Sequence, residues 1–228
     1  MKITNPFRDL TAFELGLWIT SMAVTVISFI FSGVEDPLTA IASLIGVTAL
    51  IFVAKGYVLG QILTVAFAVF YGIISFYMRY YGEMITYLCM SAPSAIAATV
   101  SWIRNPYKGS KEVKVESRLS KAHTVGLILS SAAVTVTFYF ILGALGNASL
   151  ITSTLSVATS FTASYLTFCR SPYYAVAYAF NDVVLIVLWT IATVGDISYL
   201  PMVMCFVMFL ANDVYGFINW RRMQKRQA

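Results

Sequence analysis

Charge is what this sequence has least of. Asp, Glu, Lys and Arg make up 11% of its 228 residues, where a soluble globular domain carries roughly a quarter. A water-soluble fold of this length could not bury the 59% of residues that are hydrophobic. A disordered chain needs the opposite balance. Cysteine is scarce as well. Cys89, Cys169 and Cys205 are odd in number and lie in or at the ends of apolar runs, which excludes a disulfide framework and reads as free thiols acting as small apolar side chains. The lone histidine, His123, has no companion ligands at metal spacing, and no phosphate loop, Ser-His pair or dinucleotide fingerprint is present. No metal, cofactor or enzymatic activity is therefore expected. The net charge is +5, but the basic residues sit in short segments between apolar runs, so a nucleic-acid partner is not implied. What remains is an integral membrane protein, with the lipid bilayer as its surroundings.

A spanning helix needs about 20 mostly apolar residues. The sequence predicts eight, near Leu10–Phe31, Pro37–Ala54, Tyr57–Met78, Met84–Ile103, Ala122–Leu145, Leu150–Phe168, Tyr173–Val194 and Ile197–Trp220. The first has Lys2 and Arg8 before it, as a secretory signal would. Its apolar run is too long for a signal and no small-x-small cleavage site follows, so it reads as a retained helix. Little chain is left over for a soluble domain. With the N-terminus inside, every Lys and Arg except Arg79 falls on the inner side, while Glu35, Asp36, Glu83 and Asp196 fall outside. The positive-inside rule then places both termini in the cytoplasm.

The second to fourth spans match the sixth to eighth. Each triplet reaches a one-residue basic turn, Lys55-Gly56 or Arg170-Ser171. Each then crosses to a Gly-acid turn, Gly82-Glu83 or Gly195-Asp196, and returns to Trp and Arg, as Trp102-Ile103-Arg104 or Trp220-Arg221. The organisation read from this is an N-terminal extra helix (1–35), a three-helix repeat (36–105), a basic loop and linker helix (106–147), a second repeat (148–222) and a tail (223–228). An odd linker helix makes the two repeats parallel, and transporters place substrate at such a repeat interface near the midplane.

Ionisable groups at membrane depth are costly and point to function. Tyr174, Tyr178, Asn181, Asp182, Leu185 and Trp189 share one helical face. Asp182 lies about 13 Å from the inner end at 1.5 Å per residue. In the last span, Cys205, Phe209, Asn212, Gly216 and Asn219 form a second stripe with Asp213 beside it. Gln61, Thr64, Ala68, Tyr71 and Ser75 line the third span, and Thr86, Pro93, Ser94 and Ser101 dot the fourth. The run Ser149, Ser153, Ser156, Ser160 and Ser164 reads first as helix packing. Glu14, in the first turns of the first span, is placed to pair with an inner base. An aromatic, amide-rich lining suits a neutral or weakly cationic ring compound bearing hydroxyls. No Lys or Arg lies at depth, which argues against a phosphorylated one.

The stretch Phe70-Tyr71 through Tyr80-Tyr81-Gly82-Glu83, then Pro93 and Trp102, and the ending Tyr215-Gly216-Phe217-Ile218-Asn219-Trp220-Arg221 resemble the PnuC family of nicotinamide riboside transporters. The resemblance covers roughly residues 36–222. It implies an all-α fold of eight transmembrane helices, an extra N-terminal helix plus 3+1+3 parallel repeats as in the SWEET sugar transporters. It also implies facilitated diffusion of an unphosphorylated vitamin, trapping inside by a separate kinase, and a homotrimer. Where the family carries two tryptophans three apart followed by Asn or Asp, this chain has Ala175, or Tyr174 if the register slips, and then Tyr178 before Asn181. Where an amide is expected after the proline, it has Ser94.

The leading reading is a transporter of nicotinamide riboside working by alternating access. Tyr178 and Trp189 would stack on the ring, and Tyr71, Ser94, Asn181, Asp182 and Asn212 would complete the substrate site. The alternative is a transporter of the same fold for thiamine, riboflavin or another small solute, with Asp182 as a proton carrier if flux is proton-coupled. Asp182 and Asp213 in consecutive helices also raise an intramembrane aspartyl protease, although no glycine-flanked aspartate of the kind such proteases use is present.

Overall fold

The computed structural model describes residues 5–33, 37–77, 81–116, 118–147 and 149–228. Lys2, Glu35, Asp36 and Arg79, used above in placing charges, lie outside them. The main helices are α1 (Ala12–Ser32), α2 (Pro37–Ala54), α3 (Val58–Tyr77), α4 (Tyr81–Arg104), α5 (Lys121–Ala144), α6 (Leu150–Phe168), α7 (Tyr174–Gly195) and α8 (Leu200–Gln227). Seven are long and apolar enough to cross a membrane. The other, α6, has spanning length but is dotted with hydroxyls, and it packs among α4, α5 and α7. The apolar runs thus fix the helices to within a few residues.

Two boundaries differ from expectation. Gly82 and Glu83 stand inside the first turn of α4 instead of in a turn before it, and residues 223–228, set apart as a tail, continue α8 to Gln227. Within α4 the run Thr86–Ser91 widens to a π-helix, with the Ala92 N–H bonding back to the Tyr87 carbonyl. Pro93 lacks an N–H, so the widened turn is where this helix absorbs the missing bond.

Helix ends carry unsatisfied backbone groups that need partners. Thr11 and Glu14 form a capping box on α1, and the Ser120 hydroxyl caps α5. At the end of the bundle that bears the C-terminus, here called the terminal end, the last carbonyls of two helices are met by side chains from the opposite half. Ser101 Oγ donates to the Phe168 carbonyl at 2.8 Å and Trp102 Nε1 to the Thr167 carbonyl at 2.9 Å. Asn219 Nδ2 donates to the Ala54 carbonyl at 2.9 Å and Trp220 Nε1 to the Val53 carbonyl at 2.9 Å. The two indoles touch, with centroids 5.3 Å apart. Both helices turn through a left-handed residue, Gly56 (φ 70°) and Arg170 (φ 57°).

The loop after α4 runs across this end as a strap. The Val113 N–H bonds the Gly56 carbonyl at 2.9 Å, and the Glu116 N–H bonds the Arg170 carbonyl at 3.0 Å. Gln227 holds the strap from the side, accepting from the Val115 N–H at 2.7 Å and donating to the Val113 carbonyl at 3.1 Å. Arg226 pairs with Glu112, and Lys111 with Asp9 at 2.6 Å. The Lys111 hydrogen bond holds the Asp9 carboxyl below its ordinary range. Burial, with the Asp9 charge nearby, pushes the Tyr57 phenol up to about 12. Val113 and Val115 are buried with Trp102, Trp220, Tyr174 and Ala175. The terminal end is closed by this cluster.

Candidate functional site

Beyond the closed end the bundle encloses a cavity of two adjoining lobes, each of about 130 Å³. The inner lobe, next to the seal, is bounded by Gln61 and Phe67 of α3, Ser94 of α4, Ser160 and Ser164 of α6, Tyr178, Asn181 and Asp182 of α7, and Phe209 and Asp213 of α8. The outer lobe reaches toward the other end of the bundle, past Tyr71, Glu83, Asn147 and Trp189. Tyr87, Ser91, Asn181, Leu185 and Phe206 border both lobes.

Six of the seven residues singled out from the sequence border this space. Tyr178 donates to or accepts from Ser164 Oγ at 2.9 Å. The Asn181 carbonyl oxygen accepts from Ser156 Oγ at 2.9 Å and lies 2.9 Å from Thr159 Oγ1, whose single proton it shares with the Leu155 and Ser156 carbonyls. Two hydroxyls on one oxygen fix the amide plane and leave its NH₂ edge, unbonded among the described residues, as the donor for a solute. Tyr71 packs on Tyr87 with centroids 4.6 Å apart, Trp189 rests against Tyr199, and Ser94 and Asp182 line the inner lobe.

Asn212 does not join them. It is buried, and its Nδ2 donates to Ser21 Oγ of α1 at 3.0 Å and to the Met208 carbonyl at 2.8 Å. The face of α8 that meets the cavity carries Phe206, Phe209 and Asp213 at i, i+3 and i+7, so of the expected stripe Phe209 borders the cavity while Cys205, Asn212, Gly216 and Asn219 do not. The Asn212 side is covered by the polar face of α1. Sequence reasoning also set the serines of α6 aside as packing, yet Ser153, Ser156, Ser160 and Ser164 all border the cavity. It left out Tyr87, which the π-turn of α4 carries into both lobes.

Asp182 and Asp213 face each other within hydrogen-bonding reach, both almost wholly buried. What such a pair does depends on the family.

The chain matches the nicotinamide mononucleotide transporter family over residues 36–222. The nicotinamide riboside transporter PnuC of Neisseria mucosa is 27% identical over 97% of this chain and 86% of that protein. The nicotinamide riboside transporter PnuC of Haemophilus influenzae is 25% identical over 90% of this chain and 89% of that one. A crystal structure of the vitamin B3 transporter PnuC superposes with a TM-score of 0.79 at 24% identity, covering 96% of this chain and 94% of the other.

Proposed function

The chain belongs to the nicotinamide mononucleotide transporter family, that of the PnuC proteins, and from this premise we propose that it carries nicotinamide riboside into the cell by facilitated diffusion. A family of transporters leaves the carboxyl pair no proteolytic task. The observation that carries the substrate reading is the Asn181 site. An amide with a fixed carbonyl and a free NH₂ edge stands between Tyr178 and Trp189, in a cavity that no Lys or Arg among the described residues lines. Such a lining offers stacking faces to a ring and donors to ribosyl hydroxyls and a carboxamide, and among the described residues it brings no Lys or Arg to pair with a phosphate.

Alternating access is the mechanism this reading needs. The cavity is shut at the terminal end by Trp102 and Trp220, and opening there with closure of the outer lobe would deliver the solute. Supporting a pair of parallel repeats, residues 36–105 and 148–222 joined by α5 with α1 in front, is the reciprocal bonding. Each tryptophan ends one repeat and holds the carbonyl at the end of the first helix of the other. The described basic residues gather at the terminal end, which the positive-inside rule makes cytoplasmic. Phosphorylation by a separate kinase would trap the vitamin there, and a homotrimer is the assembly carried over from the family resemblance.

The test is uptake into protein-containing liposomes of labelled nicotinamide riboside, thiamine and riboflavin in parallel. Saturable entry of nicotinamide riboside that stops at equilibrium, lost in Asn181→Ala, is expected. Entry of thiamine or riboflavin alone would replace the substrate, and uphill accumulation without a kinase would replace passive flux by proton coupling.

A further inference from the structure

The cavity holds more acid than a neutral solute would need. Asp182 is 2% and Asp213 3% exposed, on α7 and α8 respectively, and both border the inner lobe. Asp182 Oδ2 receives no hydrogen bond from any donor among the described residues. The groups that face the pair are neutral: Tyr174 and Tyr178 on α7, Tyr87 on α4 and Cys205 on α8, with Gln61 and Ser164 from α3 and α6. The one further acid is Glu83, in the outer lobe, and no Lys or Arg among the described residues lines either lobe.

Two carboxylates cannot face each other in such surroundings with both charges present. A cation entering the lobe favours the state in which the pair keeps one proton and carries a net charge of minus one. An uncompensated buried charge asks for a counter-charge, and the aromatic walls at Phe67, Tyr87, Tyr178 and Phe209 favour a cation carried on a flat ring.

We propose that Asp182 and Asp213 act as one singly charged unit that selects a solute with one positive charge on its ring. This rests on the transport reading above and extends it. The pyridinium of nicotinamide riboside carries such a charge, and its reduced dihydropyridine form has nearly the same shape without it. Charge, and not shape, is what the pair reads.

The experiment compares uptake of the cationic and the reduced, neutral riboside in liposomes at one pH. The wild type should prefer the cation by about tenfold to a hundredfold, the scale of one charge-assisted contact. Asp182→Asn and Asp213→Asn each leave one carboxylate beside an amide that donates to it. The charge stays at minus one, and each single variant should keep the preference whatever its rate. The Asp182→Asn/Asp213→Asn double variant has no charge left and should accept the two forms within about twofold, less than one hydrogen bond's worth. Asp213→Lys reaches the same zero charge as an ion pair with Asp182 and serves if the double variant fails to reach the membrane. A neutralised pair that still prefers the cation, or a single variant that loses the preference, overturns the proposal. A wild type that carries neither riboside overturns the transport reading instead.

Discussion

Glu14 is 2% exposed near the start of α1. Its carboxylate accepts from Lys55 Nζ at 2.9 and 3.1 Å, from the Tyr215 hydroxyl at 2.7 Å and from the Thr11 N–H at 2.7 Å. The extra helix is thereby pinned to α2 and α8 through one atom group. A buried pair of this kind adds little net stability, but breaking it strands a charge, at about 3–5 kcal/mol. Lys55→Met should therefore lower the unfolding midpoint in detergent far more than Glu14→Gln/Lys55→Met, which strands nothing. Equal loss in the two would mean that the ion pair matters less than the packing of the Lys55 stem. That Glu14 seeks an inner base was legible from the sequence, because a carboxylate so near the inner end of an apolar run has few other options. The failure at Asn212 has the opposite cause. Asn212 and Asp213 are adjacent polar residues about 100° apart round one helix, and nothing in α8 itself says which of them faces substrate. The choice is made by α1, whose buried Ser21 and Thr25 claim the Asn212 side.

Among the elements, α2 and α3 pack most closely, and one glycine permits it. A Cβ on Gly60 would lie 2.3 Å from the Val53 nitrogen and 2.7 Å from the Phe52 carbonyl carbon. Those are backbone atoms, which cannot rotate aside. Gly60→Ala should push the two helices apart beside the inner lobe, giving a large drop in monodisperse yield from the membrane and in the unfolding midpoint. Gly16→Ala on α1 is the control. Nothing lies within 4 Å of its added methyl, so helix propensity alone operates and the change should stay within about 1 kcal/mol, in the stabilising direction. If Gly60→Ala behaves like Gly16→Ala, the α2–α3 approach is looser than described. Element positions were readable because apolar length and turn chemistry are local. The widened turn of α4 was not, even though Pro93 was in view. A proline says that a bond is missing but not how the helix accommodates it, and that accommodation is what carries Tyr87 into the cavity. The α6 serines, which both pack between helices and border the cavity, are a related case. Hydroxyls that line water and hydroxyls that line a neighbouring helix follow the same spacing, and only the packing of α4, α6 and α7 around a common space separates them.

At the scale of the whole molecule, the seal at the terminal end is built twice from the same parts. Trp102 Nε1 to the Thr167 carbonyl and Trp220 Nε1 to the Val53 carbonyl have the same length, 2.9 Å, and each closes the end of a helix in the other half of the chain. If the two halves rock about a common axis, opening must break both bonds together, and neither is a spare. Each neutral bond contributes about 1 kcal/mol, so losing either shifts the closed–open balance about fivefold. Trp102→Phe and Trp220→Phe remove the donor and shrink a fully buried indole to a phenyl alike at both sites, so the shift of about fivefold is a floor and the comparison between the two carries the test. In a background without native cysteines, a thiol at Ala98, which borders the inner lobe and is 1% exposed, reports the opening to a membrane-impermeant reagent applied from the terminal side. Both variants should speed its labelling by at least about fivefold, and by the same factor within error. A large effect from one tryptophan and none from the other would mean that a single half carries the gate. The paired Trp-Arg endings and matched turns would then be a legacy of duplication without a mechanical counterpart. Equal effects would tie the paired turns and Trp-Arg endings of the sequence to the motion of the proposed transport cycle.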